Sequence, residues 1–197
     1  MCTYAMSEDD HLTGRSDETG EPSPIRCLLV TGGAGFIGSN FINHFCLENP
    51  GVPVINLDAL YYCGKETNVH ASIRDSPEYR FVRQNLQDYD SVVELVKGAN
   101  VTHVVHFAAQ SHVQASFDDS LRYTQDNVIG THNLLEAMRL YNPHLKKFVH
   151  VSTDEVYGES MIGEGECSKT EQSVLCPTNP YAATKAAAEL IAQSYHH

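Results

Sequence analysis

Short apolar runs alternate with longer amphipathic segments along this chain of 197 residues. The runs, rich in Val, Ile, Leu and Phe, predict five strands, at 27–30, 54–58, 79–82, 102–107 and 147–152. Apolar positions spaced three or four apart predict helices from Phe36, over 91–96, over 128–140 and over 181–195. Because strands and helices alternate without an internal repeat, the chain predicts an α/β fold with a doubly wound parallel sheet. The polar stretch from Gly158 to Asn179 predicts a long loop with a functional role.

A glycine-dense turn joins the first predicted strand to the first predicted helix. It reads G-x-G-x-x-G from Gly33 to Gly38. Glycines at this spacing allow a tight turn, close approach of the backbone to a pyrophosphate, and close packing of helix on strand. The helix that follows would present unpaired N–H groups and its positive dipole end to phosphates. The turn therefore predicts a dinucleotide-binding unit.

Asp58 ends the second predicted strand, twenty residues after Gly38. This is the distance expected for a carboxylate that bonds the adenosine ribose 2′-hydroxyl of a dinucleotide. A cap or turn role after a buried strand is the alternative. The ribose role is favoured because strand, glycine turn and acid agree, and an acid here would repel a 2′-phosphate. The cofactor predicted on this basis is NAD and not NADP.

Candidate catalytic residues follow the later strands, since ligands bind at the carboxyl ends of parallel strands in such sheets. Three segments qualify, at 108–112, 152–155 and 181–185. Tyr181 and Lys185 are four residues apart and share a helix face. An ammonium beside the phenol would lower the pKa of Tyr181 and make it a base for a substrate hydroxyl. Spacing alone favours an ordinary surface pair.

Asp154 and Glu155 are adjacent acids just after the fifth predicted strand. They could cap a helix or lie in a solvated turn. They could also be a carboxyl pair in which one group is the acid and the other the base. Their spacing leaves both interpretations open.

Composition narrows the range of partners. A formal net charge of −12 argues against nucleic acid or an anionic membrane as a partner. Residues 1–24 carry six acids and one base with almost no apolar side chain, which predicts a disordered acidic tail. No segment has the pattern of a secretory signal, a transit peptide or a membrane span. Residues 25–197 then form the one predicted NAD-binding domain, and a cytoplasmic location is expected.

The spacing of the cysteines and histidines argues against metal sites and disulfide bonds. The six cysteines show no C-x-x-C pair, which favours reduced thiols in a cytosolic protein. Eleven histidines are present, but His103 and His106 would point to opposite faces of a strand. No metal site is predicted.

The segments that carry the glycine turn and the strand ends together resemble a known family, the extended short-chain dehydrogenases/reductases. Within that family they are most similar to the nucleotide-sugar 4,6-dehydratases, in particular those acting on dTDP-glucose. The resemblance runs from Arg26 to about Tyr195. The glycine turn and Y-x-x-x-K are shared widely, whereas Thr-Asp-Glu at 153–155 is far more restricted. The matching segments lie at 30–40, 106–113, 152–158 and 177–189.

The resemblance implies an NAD-dependent reaction in which a dTDP- or UDP-glucose becomes a 4-keto-6-deoxy sugar and NAD is regenerated. Tyr181, helped by Lys185 and Thr153, removes the 4-hydroxyl proton. Glu155 takes the C5 proton, and protonated Asp154 donates to the departing 6-hydroxyl. The substrate-binding residues implied are Ser111, His112 and Thr153. The cofactor-binding residues implied are Gly32, Gly35, Phe36, Ile37, Gly38, Asp58, Asn85, Leu86, Ala108, Ala109, Tyr181 and Lys185.

Three further residues are compared with the family. Asn127 matches a position that supports the helix and strand near the active site. Asn85 stands where members usually carry an acid that bonds adenine, although an amide can also bond it. Gln114 stands where members usually carry Asp, which removes a charge near the substrate.

The resemblance also bears on the rest of the protein. A C-terminal part that binds the substrate nucleotide is expected to be absent from this sequence. Complete members are homodimers through a four-helix contact, for which the helices at 128–140 and 181–195 are the candidates. The alternatives are a nucleotide-sugar 4-epimerase, which needs no acid–base pair, and an inactive truncated NAD-binding fragment.

Overall fold

The computed structural model describes residues 24–159 and 168–196. Five strands form one sheet, and every neighbouring pair in it is parallel. The strands are β1 (Leu28–Thr31), β2 (Val54–Asp58), β3 (Tyr79–Arg83), β4 (His103–His106) and β5 (Lys147–His150). Their order is β3-β2-β1-β4-β5, which confirms the predicted doubly wound parallel sheet. The predicted acidic tail lies outside the described residues except for Pro24.

Helices cover both faces of the sheet. The α-helices are α1 (Phe36–Glu48), α2 (Ala71–Arg74), α3 (Tyr89–Gly98), α4 (Val113–Asp118), α5 (Ser120–Tyr123), α6 (Gly130–Tyr141) and α7 (Pro180–Ser194). A π-helical segment spans Thr124–Ile129, and 3₁₀ turns span Glu66–Asn68 and Asp154–Tyr157.

The strands β1 and β2 are buried along their whole length, because both faces of the sheet are covered at its centre. On one face Leu28 and Val30 of β1 pack with Ile42 of α1 and Ile73 of α2. Leu29 points to the other face, into a core shared with α3, α6 and α7. His103 and His106 also point to opposite faces, as predicted, since His106 bonds Thr131 of α6 and the intervening Val104 and Val105 belong to opposite cores.

Helix caps follow the local sequence. The Asp88 side chain accepts from the Ser91 N–H at the start of α3. The Asn179 side chain accepts from the Ala182 N–H, and Pro180 takes the first position of α7. These caps fix where each helix begins relative to the strand before it.

The helical segment before α6 was not predicted. The sequence predicted a helix over 128–140, whereas helical structure begins at Val113 and runs through α4, α5 and the π-helical segment into α6. Polar residues such as Asp119 and Gln125 obscure the apolar periodicity there, and Asp119 caps α5 by accepting from the Arg122 N–H. The short elements at 66–68, 71–74 and 154–157 were also missed. In the loop predicted at 158–179, the described residues form neither helix nor strand, and 160–167 lie outside the described residues.

Candidate active site

The glycine turn lies at the carboxyl end of β1, next to β4. Gly32 has φ +70°, and a Cβ there would come within 2.6 Å of the Ala108 backbone nitrogen. A Cβ on Gly38 would overlap the Gly32 carbonyl oxygen, so the helix could not pack so closely on the turn. Gly35 caps α1 without a side chain, and no acid lies in the first turn of α1. The first N–H groups of α1, at Phe36 and Ile37, are thus available to an anion, which suits a pyrophosphate.

Asp58 lies beside this turn and is 8% exposed. Its Oδ2 accepts from the Ala34 N–H at 2.9 Å and its Oδ1 accepts from the Leu60 N–H at 2.7 Å. The carboxylate is therefore fixed between the glycine turn and the loop after β2. Each oxygen keeps a second lone pair for a ribose hydroxyl.

Asn85 and Leu86 follow β3 on the same side of the sheet. The Asn85 amide donates to Tyr61 Oη at 2.6 Å, and its Oδ1 accepts from the Gln87 N–H at 2.9 Å. Leu86 is buried, and its carbonyl accepts from Asn133 Nδ2 at 2.9 Å.

Asn127 braces the loop after β4, which carries Ala108 and Ala109. Its Oδ1 accepts from the Gln110 N–H at 2.7 Å, and its Nδ2 donates to the Gln110 carbonyl at 3.0 Å and to Thr184 Oγ1 at 2.9 Å. The loop, the π-helical segment and α7 are thereby joined. This is the support that the family resemblance implied for Asn127.

One cavity of about 380 Å³ runs along these strand ends. It lies where β1 sits between β2 and β4, at the point where the strand order reverses. Among the predicted cofactor residues, it is lined by Gly32, Gly35, Phe36, Ile37, Gly38, Asp58, Asn85, Leu86, Ala108, Ala109, Tyr181 and Lys185. Ser111, a predicted substrate residue, also lines it, whereas His112, Thr153, Asp154 and Glu155 lie outside its wall.

Tyr181 and Lys185 lie on the buried face of α7. Tyr181 is 8% exposed, and its N–H donates to Ser116 Oγ at 3.1 Å. Lys185 is 4% exposed, and its Nζ donates to the Val151 carbonyl at 2.7 Å. Burial lowers the pKa of Lys185 to about 8, and Glu189 one turn later opposes that shift.

The pKa of Tyr181 differs from the sequence prediction. It is raised, first by burial and then by the charges of Glu155 and Asp154, while a hydrogen bond with Thr153 lowers it. The predicted lowering by Lys185 is not found, because the ammonium of Lys185 is directed at the Val151 carbonyl.

Thr153, Asp154 and Glu155 form the start of the 3₁₀ turn after β5. Thr153 caps it, since its Oγ1 accepts from the Glu155 N–H at 3.3 Å. Glu155 is half-buried and its Oε2 accepts from Asn179 Nδ2 at 2.8 Å, whereas Asp154 is exposed. The N-cap is therefore Thr153 and neither of the two acids, which lie in the first turn. The two acids differ in environment, as an acid–base pair requires.

The predicted substrate residues Ser111 and His112 belong to the loop before α4. Ser111 Oγ lies 3.3 Å from Tyr62 Oη. His112 Nδ1 accepts from the Ala115 N–H at 3.2 Å and so caps α4. His112 therefore has a structural contact in addition to its predicted role.

Sequence reasoning missed several residues of the cavity wall. Tyr61 and Tyr62 lie in the loop after β2, and Asp126 lies in the π-helical segment. The position of Tyr61 directly after a strand end is a signal that could have found it. Asp126 sits inside a helix, where the sequence carries no such signal.

Among residues 24–159 and 168–196, no group of three or more His, Cys, Asp or Glu side chains is arranged to hold a metal ion. In the same residues, no helix combines the length and apolar composition that a membrane crossing requires.

Comparison with known proteins gives one family and several relatives. The family model described as GDP-mannose 4,6 dehydratase matches residues 29–197. The dTDP-D-glucose 4,6-dehydratase of Bos taurus is 41% identical over 185 residues, covering 93% of this chain and 50% of the bovine protein. The trifunctional UDP-glucose 4,6-dehydratase RHM1 of Arabidopsis thaliana is 41% identical over 172 residues, which cover 85% of this chain and 25% of that protein.

Solved structures show the same fold at comparable identity. DesIV, a dTDP-glucose 4,6-dehydratase from Streptomyces venezuelae crystallised with NAD and TYD, is 42% identical with a TM-score of 0.76. The match covers 86% of this chain and 51% of DesIV. The UDP-glucose 4-epimerase of Thermus thermophilus, in complex with NAD, is 38% identical with a TM-score of 0.73, over 86% of this chain and 50% of the epimerase.

Proposed function

We propose, from the premise that this chain belongs to the GDP-mannose 4,6-dehydratase family, that it is the NAD-binding part of a nucleotide-sugar 4,6-dehydratase. The substrate proposed is dTDP-glucose, with UDP-glucose as the alternative, and the product is the 4-keto-6-deoxy sugar. One observation carries the proposal: Tyr181 lines the cleft of about 380 Å³ at the strand ends, and its pKa is raised by burial and then by the charges of Glu155 and Asp154 nearby. A base and two carboxyl groups of different environment are what this reaction needs.

The residues present fit NAD. The first turn of α1 and the glycine turn offer backbone N–H groups to the pyrophosphate. Asp58 would bond the adenosine ribose, and a carboxylate there disfavours the 2′-phosphate of NADP. Asn85 and Leu86 would contact adenine, and Ala108 and Ala109 would line the path to the nicotinamide. Tyr181 and Lys185 would lie at its ribose.

The chemistry supplied by bound NAD is reversible hydride transfer, out of C4 of the sugar first and into C6 last. Tyr181 takes the proton of the 4-hydroxyl, and the Thr153 hydroxyl stabilises the phenolate by its hydrogen bond. The 4-keto group then acidifies C5, and Glu155 takes that proton and returns it to C5 when C6 is reduced. Asp154 donates a proton to the departing 6-hydroxyl, which leaves as water.

Substrate positioning is assigned to Ser111, which lines the cavity, and to His112 and Thr153, which lie outside its wall. Lys185 is assigned an electrostatic role near Tyr181, at the end of the cavity proposed for the nicotinamide ribose. Its lowered pKa of about 8 leaves it mostly protonated at neutral pH.

A second candidate is a nucleotide-sugar 4-epimerase, which the similarity to the Thermus thermophilus epimerase favours. Epimerisation returns the hydride to C4 and needs neither Asp154 nor Glu155. The dehydratase is preferred because both acids flank Tyr181 closely enough to raise its pKa.

We also propose that the complete protein is a cytoplasmic homodimer. Apolar side chains are exposed on the helices predicted to form the dimer contact, namely Ile129, Leu140 and Leu190. The described cysteines, Cys27, Cys46, Cys63 and Cys176, are free thiols, as a reducing compartment favours.

The test follows the mass of the sugar nucleotide after incubation with NAD and either dTDP-glucose or UDP-glucose. Loss of one water, abolished by Asp154→Asn or Glu155→Gln, is the expected result. Glu159→Gln, at an exposed acid of the following loop, is the matched control and should leave the reaction intact. The assay is repeated with the chain extended by the C-terminal part of a relative.

Each outcome separates the candidates. A sugar of unchanged mass but inverted at C4, seen by NMR, would establish the epimerase. Absence of reaction in both versions would overturn the proposal. A reaction only in the extended version would show that this chain is the cofactor-binding part and is not sufficient for catalysis.

A further inference from the structure

A polar network closes the adenosine end of the cavity, and of its members the function proposed above uses only Asn85. We name it the adenosine clasp: Tyr61 after β2, Asn85 after β3, Arg122 of α5, and Asp126 of the π-helical segment. Tyr61, Asn85 and Asp126 line the same cavity as Asp58. The clasp therefore ties together three segments that are far apart in sequence around the place assigned to the adenosine.

Asp126 is the centre of the clasp, and its side chain is only 7% exposed. Its Oδ1 accepts from Gln87 Nε2 at 2.5 Å and from Tyr61 Oη at 3.3 Å. Its Oδ2 accepts from Gln110 Nε2 at 2.9 Å and lies 3.6 Å from Arg122 Nε. Both oxygens are satisfied within the protein, so Asp126 holds Tyr61 and is not itself free for a ligand.

The hydrogen bonds through Tyr61 have a fixed direction. Asp126 as a carboxylate can only accept, so the single phenol proton goes to Asp126. The phenol oxygen must then accept from the Asn85 amide, at 2.6 Å. The guanidinium of Arg122 lies 4.7 Å from the centre of the Tyr61 ring, which adds a cation–π contact.

This direction explains the amide at position 85. An acid there would set two acceptors against one phenol proton. Asn85 supplies the donor that completes the series from amide to phenol to carboxylate. Asn85, Tyr61 and Asp126 are therefore one coupled feature.

The π-helical backbone places Asp126 at this point. The wider turn of Thr124–Ile129 lies between α5 and α6, and Asn127 within it braces the loop after β4. π-Helical turns are rare and occur often at functional sites. Within this segment the side chain of Asp126 belongs to the clasp, and the side chain of the next residue, Asn127, supports the loop after β4.

We propose that Tyr61 closes over the adenosine end of the bound dinucleotide and that the clasp sets how slowly the dinucleotide leaves. This rests on the NAD binding proposed above. For the adenosine to leave past Tyr61, the phenol must give up two hydrogen bonds and its contact with Arg122. A reaction that regenerates its cofactor in each cycle gains from such retention, because no turnover requires exchange.

The experiment measures release of radiolabelled NAD from the purified chain after a chase with excess unlabelled NAD. Tyr61→Phe keeps the ring and removes both hydrogen bonds, and it should speed release by about tenfold. Asn85→Asp should speed release to a similar degree. Tyr141→Phe, at an exposed tyrosine of α6 outside the cavity wall, is the control and should leave release unchanged.

A double substitution tests the direction of the hydrogen bonds from Asn85 through Tyr61 to Asp126. Asn85→Asp combined with Asp126→Asn exchanges donor and acceptor around the phenol, and the Gln87 amide, whose Nε2 donates to the same Asp126 oxygen, turns so that its oxygen accepts. Release should then slow again relative to Asn85→Asp alone. Circular dichroism confirms that each variant is folded. The same chase with ADP-ribose, which keeps the adenosine half, should show the same order of rates.

The outcomes distinguish a failure of the clasp proposal from a failure of NAD binding. NAD retained by the unaltered chain and released at the same rate from Tyr61→Phe would overturn the clasp alone. A double variant no slower than Asn85→Asp would overturn the donor–acceptor assignment. Failure of the unaltered chain to bind NAD would overturn both proposals.

Discussion

Acid should unfold this protein through two buried histidines, His106 of β4 and His150 of β5. Both are 1% exposed, and their rings lie 5.4 Å apart. The Thr131 hydroxyl donates to the Asn127 carbonyl, so it must accept from His106 Nε2, at 2.8 Å. In the neutral ring Nδ1 then accepts from the Thr31 hydroxyl, at 2.5 Å. Among the described residues, neither ring nitrogen of His150 has a hydrogen-bond partner.

The size of the effect follows from the two pKa values. Burial, with a smaller contribution from the Lys185 charge, lowers the pKa of His106 to about 3. Burial, then Lys185 and His106, lowers that of His150 to about 2. Below the ordinary pKa of 6.5 the unfolded chain binds protons that the folded chain does not, so stability falls as the pH falls. At pH 5 each histidine has cost roughly 2 kcal/mol, and the two together roughly 4 kcal/mol.

Urea unfolding followed by circular dichroism at pH 7 and pH 5 measures this loss as a change in the free energy of unfolding. The range stops at pH 5 because Glu136, whose pKa Arg139 and Tyr195 lower to about 2, begins to contribute below about pH 4.5. His150→Phe removes one of the two groups and should halve the loss, to roughly 2 kcal/mol. It should also raise stability at pH 7, since two unpaired buried nitrogens are removed.

His44→Gln is the matched control, because the His44 side chain is 73% exposed. It should leave the difference between pH 7 and pH 5 unchanged. A difference below about 1 kcal/mol in the unaltered chain would refute the reasoning, since even one buried neutral histidine exceeds it. An undiminished difference in His150→Phe would refute the assignment to His150.

Two further predictions concern the polar residues around α7. Asn127→Ala removes three buried hydrogen bonds to Gln110 and Thr184 and should lower the free energy of unfolding by about 3 kcal/mol. The control, Asn40→Ala at an exposed position, should change the free energy of unfolding by less than about 0.5 kcal/mol. A similar effect for both variants would contradict the bracing role of Asn127. The pKa of Lys185 is about 8 when folded and 10.5 when unfolded, so the unaltered chain should gain stability relative to Lys185→Met by roughly 1 kcal/mol per pH unit from pH 8 to pH 10. Urea midpoints of the two proteins across that range measure the gain, and a constant difference would show that Lys185 titrates normally.

Much of the fold could be predicted because its signals are local. Apolar runs long enough for one strand, followed by amphipathic segments, indicate a parallel sheet with covered faces, and β1 to β5 lie where these runs predicted them. The turn at Gly32–Gly38 was predictable because a left-handed φ and the close approach to Ala108 leave room only for glycine. The helical structure from Val113 was missed because its polar residues follow no apolar period.

The candidate site likewise has features that local sequence predicts and features that only the assembled fold sets. Tyr181 and Lys185 share a helix face by spacing alone, and Asp154 and Glu155 follow a strand end. What sets their chemistry is contact across the fold. Lys185 donates to the Val151 carbonyl, and the two acids raise the pKa of Tyr181.

By itself, the sequence determined the alternation of strands and helices, the glycine turn, and the acids and the tyrosine–lysine pair at strand and helix ends. These features depend on residues within a few positions of one another, so they can be recognised from local spacing before the fold is known. The tertiary structure alone decided that Tyr61, Asn85 and Asp126 meet, that His106 is neutral, and that burial lowers the pKa of Lys185 to about 8. Those properties arise from hydrogen bonds and desolvation between segments that approach only when the sheet is assembled.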